Sequence, residues 1–160
     1  MSKTSIKKDH PGVYMPPPVL YAIIFIAGIY LQKAYPLSDS FFSLILAKIF
    51  GLLFIVVTLF ILVMSLRQFI ISKNTVITIL PATSLQTTGI YTLSRNPMYV
   101  GLMSLYIGLA FIIGNWWHFI LLPVLVLIVD VYIIRREERY LEREFGIAYK
   151  EYKARVRRWI

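Results

Sequence analysis

The chain contains no cysteine, which excludes disulfides, thiolate metal sites and a cysteine nucleophile. Histidine is nearly absent too. His10 sits in a polar N-terminal stretch and His118 stands alone beside a pair of tryptophans, so no metal site is expected. Acidic residues are few, eight against seventeen Lys and Arg, and the formal net charge is +9. There is no Gly-rich phosphate loop, no G-x-S-x-G elbow and no Rossmann fingerprint. Any nucleotide-like cofactor would therefore be held in a site built from membrane helices.

What the chain has in abundance is apolar surface. Hydrophobic residues make up 58% of it and the mean hydropathy is +0.70, too apolar for a soluble domain of 160 residues. The reading is an all-α polytopic membrane protein forming one integral membrane domain over residues 1–160. Four spans are expected, at about 19–37, 45–71, 97–114 and 119–135, with a charged helical extension after the last. Lys3, Lys7 and Lys8 precede the first apolar run, but no small-residue cleavage site follows Ile29. Retention as a first transmembrane helix is expected rather than a cleaved signal. Pro16-Pro17-Pro18 leads into that span, Lys48 is expected to snorkel, and Ala47 with Gly51 forms a small-xxx-small pair suited to close helix approach. Residues 72–97 form the longest non-spanning segment, polar but interleaved with apolar residues.

Charge placement orients the bundle. Nine of the seventeen Lys and Arg lie between Arg135 and Arg158, Lys73 and Arg95 separate spans two and three, and the turn Asn115-Trp116-Trp117-His118 has no Lys or Arg. This alternation predicts both termini on the cytoplasmic side. A basic block beside a span marks a membrane face, and with no recognition fold beside it nucleic-acid binding is not expected.

Two polar clusters then bracket the last helical hairpin on one face. In Ser94-Arg95-Asn96-Pro97-Met98-Tyr99, Asn96 suits an N-cap and Pro97 the first helical position. Spacing alone favours a plain helix start, but Arg95 beside a helix N-terminus also suits an anion. In the second cluster, Asp130, Glu137 and Leu141 share one face of a regular helix, with Glu138 on the flank. Asp130 lies in an apolar run. It is read as a structural ion pair within the bundle, with Arg67 as a candidate partner, and otherwise as a functional intramembrane carboxylate. Glu137 and Glu138 are either an exposed helical face paired with nearby arginines or part of a site. Gly101, Ser104 and Gly108 are read as helix-packing positions.

The stretch Gly89-Ile90-Tyr91-Thr92-Leu93-Ser94-Arg95-Asn96-Pro97-Met98-Tyr99-Val100-Gly101 resembles the G-x-Y-x-x-x-R-[HN]-P-x-Y-x-G signature of the isoprenylcysteine carboxyl methyltransferase and phospholipid methyltransferase superfamily. Glu137-Glu138, Leu141, Phe145-Gly146, Tyr149, Tyr152, Val156 and Arg157 resemble the ending that accompanies it. The resemblance implies S-adenosyl-L-methionine as methyl donor. It also implies a cofactor site of Arg95, Asn96, Pro97, Tyr99, Glu137 and Glu138, with Arg95 and Glu138 as the catalytic pair. The acceptor it implies is a membrane-resident amphiphile, an isoprenylcysteine-like carboxylate or a lipid head group, reached sideways from the bilayer. Asn96 stands where the isoprenylcysteine enzymes usually carry His, and Asn there is commoner in phospholipid-type and prokaryotic members. The expected location is the cytoplasmic membrane of a prokaryote. Two other readings stay open: a small four-helix transporter using Asp130, and a family member that binds lipid or cofactor without turnover.

Overall fold

The computed structural model describes residues 11–71 and 84–160. Lys3, Lys7, Lys8, His10 and the 72–83 part of the long connection lie outside the described residues. Five helices account for most of the rest: α1 (Pro17–Ala34), α2 (Ile45–Ile71), α3 (Pro97–Ile113), α4 (Trp116–Ile128) and α5 (Arg135–Arg155). Prolines open α1 and α3, where the missing N–H costs no hydrogen bond. Among the described residues there is no strand.

Three helical stretches are long and apolar enough to cross a membrane: α1, α2, and the continuous run Trp116–Arg155; α3, with 17 residues, is apolar and shorter. Together they give the four spans expected. The 27 residues of α2 rise about 40 Å, more than a hydrocarbon core of about 30 Å. Lys48 near its start is exposed, as a snorkelling lysine would be.

Small residues and hydroxyls join α2 to α3. A Cβ on Gly108 would lie 3.0 Å from the Gly51 carbonyl oxygen, and one on Gly51 3.0 Å from the Gly108 carbonyl oxygen. Neither backbone can retreat, so both positions exclude a side chain. Ser104 donates to the Phe54 carbonyl at 2.9 Å, and Thr58 donates to those of Phe54 and Gly101. The expectation that Gly101, Ser104 and Gly108 serve packing therefore holds. Gly108→Leu is expected to destabilise the bundle by about 1–3 kcal/mol through overpacking. The check is the thermal unfolding midpoint in detergent; an unchanged midpoint would contradict the α2–α3 packing described.

At the far end, α3 closes on Gly114 (φ 75°) and Asn115 caps α4, its side chain accepting from Trp117 N at 2.9 Å while donating to the Gly28 carbonyl. His118 is fully buried there, its Nε2 3.1 Å from the Phe25 carbonyl. It is a packing residue between α1 and α4, at the opposite end of α3 from Asn96.

Two irregularities in the last helical run depart from the sequence reading. Val129–Ile134 winds as a π-helix, a wide turn that takes up an extra residue. Gly146 (φ 53°, ψ −120°) breaks the helical path, yet helix resumes at once and runs to Arg155. A glycine here commonly ends a helix; Gly146 makes a kink instead, and the helix continues to Arg155. A Cβ at Gly146 would meet nothing within 4 Å, so the requirement for glycine comes from the backbone conformation alone.

Candidate active site

The kink at Gly146 turns the end of the chain back over the start of α3. Val156 leaves the helix in extended conformation, and the tail lies against the segment before α3. Arg95 N donates to the Arg157 carbonyl at 3.0 Å, and Ser94 Oγ and Asn96 Nδ2 both donate to the Arg158 carbonyl, at 3.3 and 2.9 Å. Tyr152 adds a buried hydrogen bond from its hydroxyl to the Tyr91 carbonyl at 2.7 Å. These bonds correct one expectation. Asn96 does not cap α3 with its side chain, because its amide is engaged by the tail more than sixty residues away in sequence.

Inside this clasp lies an ion cluster. Glu138 is buried, with its Oε1 3.0 Å from Arg95 Nη1. Arg158 grips the same carboxylate through both oxygens, Nε to Oε1 at 3.0 Å and Nη2 to Oε2 at 2.7 Å, the paired geometry that makes arginine–carboxylate contacts strong. Lys153 stands 4.0 Å away. Arg95 also reaches the Tyr149 hydroxyl at 3.5 Å. Burial and the nearby Glu138 push the Tyr149 hydroxyl up to about 12 against the opposing pull of Arg95, so it remains a neutral phenol at any working pH. Arg95 Nε is buried with no hydrogen-bond partner.

Glu137 behaves differently from its neighbour. It lies just beyond Ile134, where the apolar run ends, and accepts from the Tyr99 hydroxyl at 2.7 Å. No cation pairs with it among the described residues. Burial raises its pKa to about 7, with the Tyr99 hydrogen bond opposing that rise and the charge of Glu138 adding to it. Two adjacent glutamates thus meet two environments: one locked by guanidiniums, one poised near neutrality.

The sequence-predicted residues Arg95, Asn96, Pro97, Tyr99, Glu137 and Glu138 all come together at this end of the bundle. Three expectations change in detail. Asp130 pairs with Arg135 (2.9 Å) and Arg158 (2.9 Å) rather than with Arg67, whose side chain is exposed on α2. Asp130 aligns with Glu138 instead of Glu137, because the π turn adds a residue and brings positions eight apart onto one face. Of the two tail arginines, Arg157 lends only its carbonyl and has an exposed side chain, while Arg158 enters the cluster. Arg158 escaped the sequence reading because a basic tail of this density marks no single arginine.

Beside the site, a groove of about 280 Å³ runs between α1 and α3, walled by Tyr21, Phe25, Leu102, Leu105 and Tyr106, with half-exposed Ile26 on its rim. Tyr21 joins it to the site, its hydroxyl donating to the Tyr99 carbonyl at 3.2 Å.

Among the described residues no group of three His, Asp or Glu side chains is placed to hold a metal. The donor set is compatible with the carboxylate and ammonium of the S-adenosylmethionine that the sequence resemblance implies. The unpartnered Arg95 Nε is a buried donor lacking an acceptor, and a buried polar atom without a partner is unfavourable. A carboxylate supplies that acceptor, and Glu137 retains acceptor capacity for an ammonium or a hydroxyl.

No solved structure matches the chain. An uncharacterized protein of Haemophilus influenzae is 35% identical over 63 residues, which are 39% of this chain and the whole of that relative. The phospholipid methyltransferase family matches residues 46–148. That match covers most of the four-span bundle, both glutamates and the whole Arg95–Tyr99 segment, and the chain accordingly belongs to the phospholipid methyltransferase family.

Proposed function

We propose that the protein transfers a methyl group from S-adenosylmethionine to a membrane-resident amphiphilic acceptor, a lipid head group or a lipid-borne carboxylate. The observation that carries this reading is the buried Arg95 guanidinium at the start of α3, with its Nε free of partners and Glu138 and Tyr149 holding its other side. In this reading Arg95 binds the donor's carboxylate, and Asn96, Pro97 and Tyr99 form the wall beside it. Glu138 fixes Arg95, and the Glu137 oxygen not engaged by Tyr99 accepts from the donor's ribose hydroxyls. When bound, S-adenosylmethionine supplies a sulfonium-activated methyl group, and the transfer itself needs little beyond alignment and exclusion of water.

The acceptor reading rests on the family and on the groove. Between α1 and α3 the groove offers a hydrocarbon chain an apolar track leading to Tyr21 and so to the Tyr99–Glu137 pair. If the acceptor is an amine, its ammonium must first lose a proton. Glu137 is the carboxylate suited to take it, since Asp130 and Glu138 are both held by arginines. A carboxylate acceptor needs no such base. The site end of the bundle is assigned to the cytoplasmic face of the membrane, on the strength of the basic α5 and tail beside it. For the transporter reading, Asp130 would have to be a free coupling carboxylate; bound by Arg135 and Arg158, it finds no support in this geometry.

The test is calorimetric titration of S-adenosylmethionine into detergent-purified protein. Saturable binding is expected, weakened at least tenfold in Arg95→Ala, consistent with loss of a charge-assisted contact worth about 1.5–3 kcal/mol. A folded, monodisperse wild type that binds nothing, with or without added phospholipid, would refute the assignment.

A further inference from the structure

Asp130 is the one acidic residue within the apolar stretch of the last helical run, and neither the proposed chemistry nor the family match gives it a task. Its surroundings are specific. Oδ2 accepts from Arg135 Nε at 2.9 Å, on the exposed side, and Oδ1 accepts from Arg158 Nη1 at 2.9 Å. Arg158 spends its other two nitrogens, Nε and Nη2, on Glu138, and Glu138 in turn holds Arg95. The charges alternate along one line: Asp130, Arg158, Glu138, Arg95. Four separate parts of the chain contribute to it: the π turn, the tail, α5 and the segment before α3.

The π turn is what makes the line possible. A regular helix would place Asp130 over Glu137 and turn it away from Glu138. The extra residue in Val129–Ile134 brings Asp130 and Glu138 to the same face, one guanidinium apart. Such wide turns are rare inside α-helices and occur frequently at functional sites. Arg158 sits on a tail held mainly by its own carbonyl and that of Arg157, and its side chain is 30% exposed. Held by Glu138 alone, that guanidinium could pivot about the carboxylate. A third hydrogen bond, to Asp130, fixes its plane and therefore the orientation of Glu138 and Arg95.

We propose that Asp130 is a positioning residue of the cofactor site, acting through Arg158 to set the orientation of Glu138 and Arg95. The inference rests on the functional reading above and goes beyond it by assigning tasks to Asp130, Arg158 and the π turn.

Four variants, Asp130→Asn, Arg158→Lys, their double and Arg135→Gln, are purified in detergent, checked by thermal unfolding, and titrated with S-adenosylmethionine by calorimetry. Asp130→Asn is expected to weaken binding about tenfold. Arg158→Lys, whose ammonium is a point charge that cannot serve two carboxylates from a fixed plane, is expected to weaken it by a similar factor. The double variant should bind no worse than the weaker single, because both break one connection. Arg135→Gln, on the exposed side of Asp130, should bind as wild type does. Affinity within twofold of wild type in Asp130→Asn, or effects of the two singles that multiply in the double, would overturn the proposal. So would a loss in Arg135→Gln equal to that in Asp130→Asn, since that would mark a general structural role. Failure of wild type itself to bind is a separate result: it refutes the functional reading, and this inference with it.

Discussion

Glu138→Ala is expected to lower stability by about 3–5 kcal/mol, the cost of removing one partner from a buried ion pair. In a chain of this size that corresponds to a fall in the unfolding midpoint on the order of 10 °C. The carboxylate is buried between Arg95 and Arg158, and its side chain and that of Arg95 are only 7% and 8% exposed. Its removal leaves Arg95 without its carboxylate partner, facing an Arg158 held by Asp130 alone. The tail is expected to loosen with it, because Arg158 anchors the tail's side chain while Ser94 and Asn96 hold only its carbonyl. S-adenosylmethionine binding should be lost along with the clasp. Glu138→Gln keeps the shape but not the charge, and should fall between alanine and wild type. The measurements are thermal unfolding in detergent and calorimetric titration. An alanine variant that unfolds within about 2 °C of wild type, or less than 1 kcal/mol away, would show that the ion cluster contributes little.

Glu137, one residue earlier, is expected to behave in the opposite way, and its effect is seen in pH. Its folded pKa, raised to about 7 from an ordinary 4.5, means that the folded protein keeps a proton which the unfolded chain gives up between those values. The contribution to stability is therefore fully present below pH 4.5 and is lost as pH rises through about 7. Glu137→Gln, which cannot ionise, should remove that slope and be at least as stable as wild type at pH 8. Activity separates the acceptor classes. With an amine acceptor, methyl transfer should rise with pH through about 7 as Glu137 becomes able to accept a proton. Glu137→Gln should then lose about 10²–10⁴-fold in rate. Tyr99→Phe removes the hydrogen bond that holds the pKa down, so it should move the inflection upward. With a carboxylate acceptor the profile should show no such inflection. A rate profile identical in wild type and Glu137→Gln would eliminate Glu137 as a base.

Much of this architecture is legible in the sequence. Helix positions follow from the lengths of apolar runs, and the start of α3 from Pro97. The packing role of Gly51, Gly101 and Gly108 follows from their place in apolar helices. These signals are local: each depends on residues within one or two helical turns. The site segment was legible for a different reason, since Arg95–Tyr99 and Glu137–Glu138 match a family signature in order and separation, although spacing alone made Asn96 a simple cap.

The sequence by itself therefore determined that this is a helical membrane protein, where its apolar helices run, and which end gathers its polar groups. Hydrophobic length and helix-start chemistry are properties of short stretches, and they need no partner to be read. Only the tertiary structure decided what each polar group does there. That Asp130 answers to Arg158 and not Arg67 depends on a one-residue widening at Val129–Ile134. That Asn96 holds the tail, and that Arg158 rather than Arg157 enters the cluster, depends on a kink at Gly146 which returns the chain over α3. The division of labour between Glu137 and Glu138 has the same origin. Two identical residues side by side carry the same local signal, and they are told apart by whether a guanidinium or a tyrosine hydroxyl arrives from elsewhere in the fold.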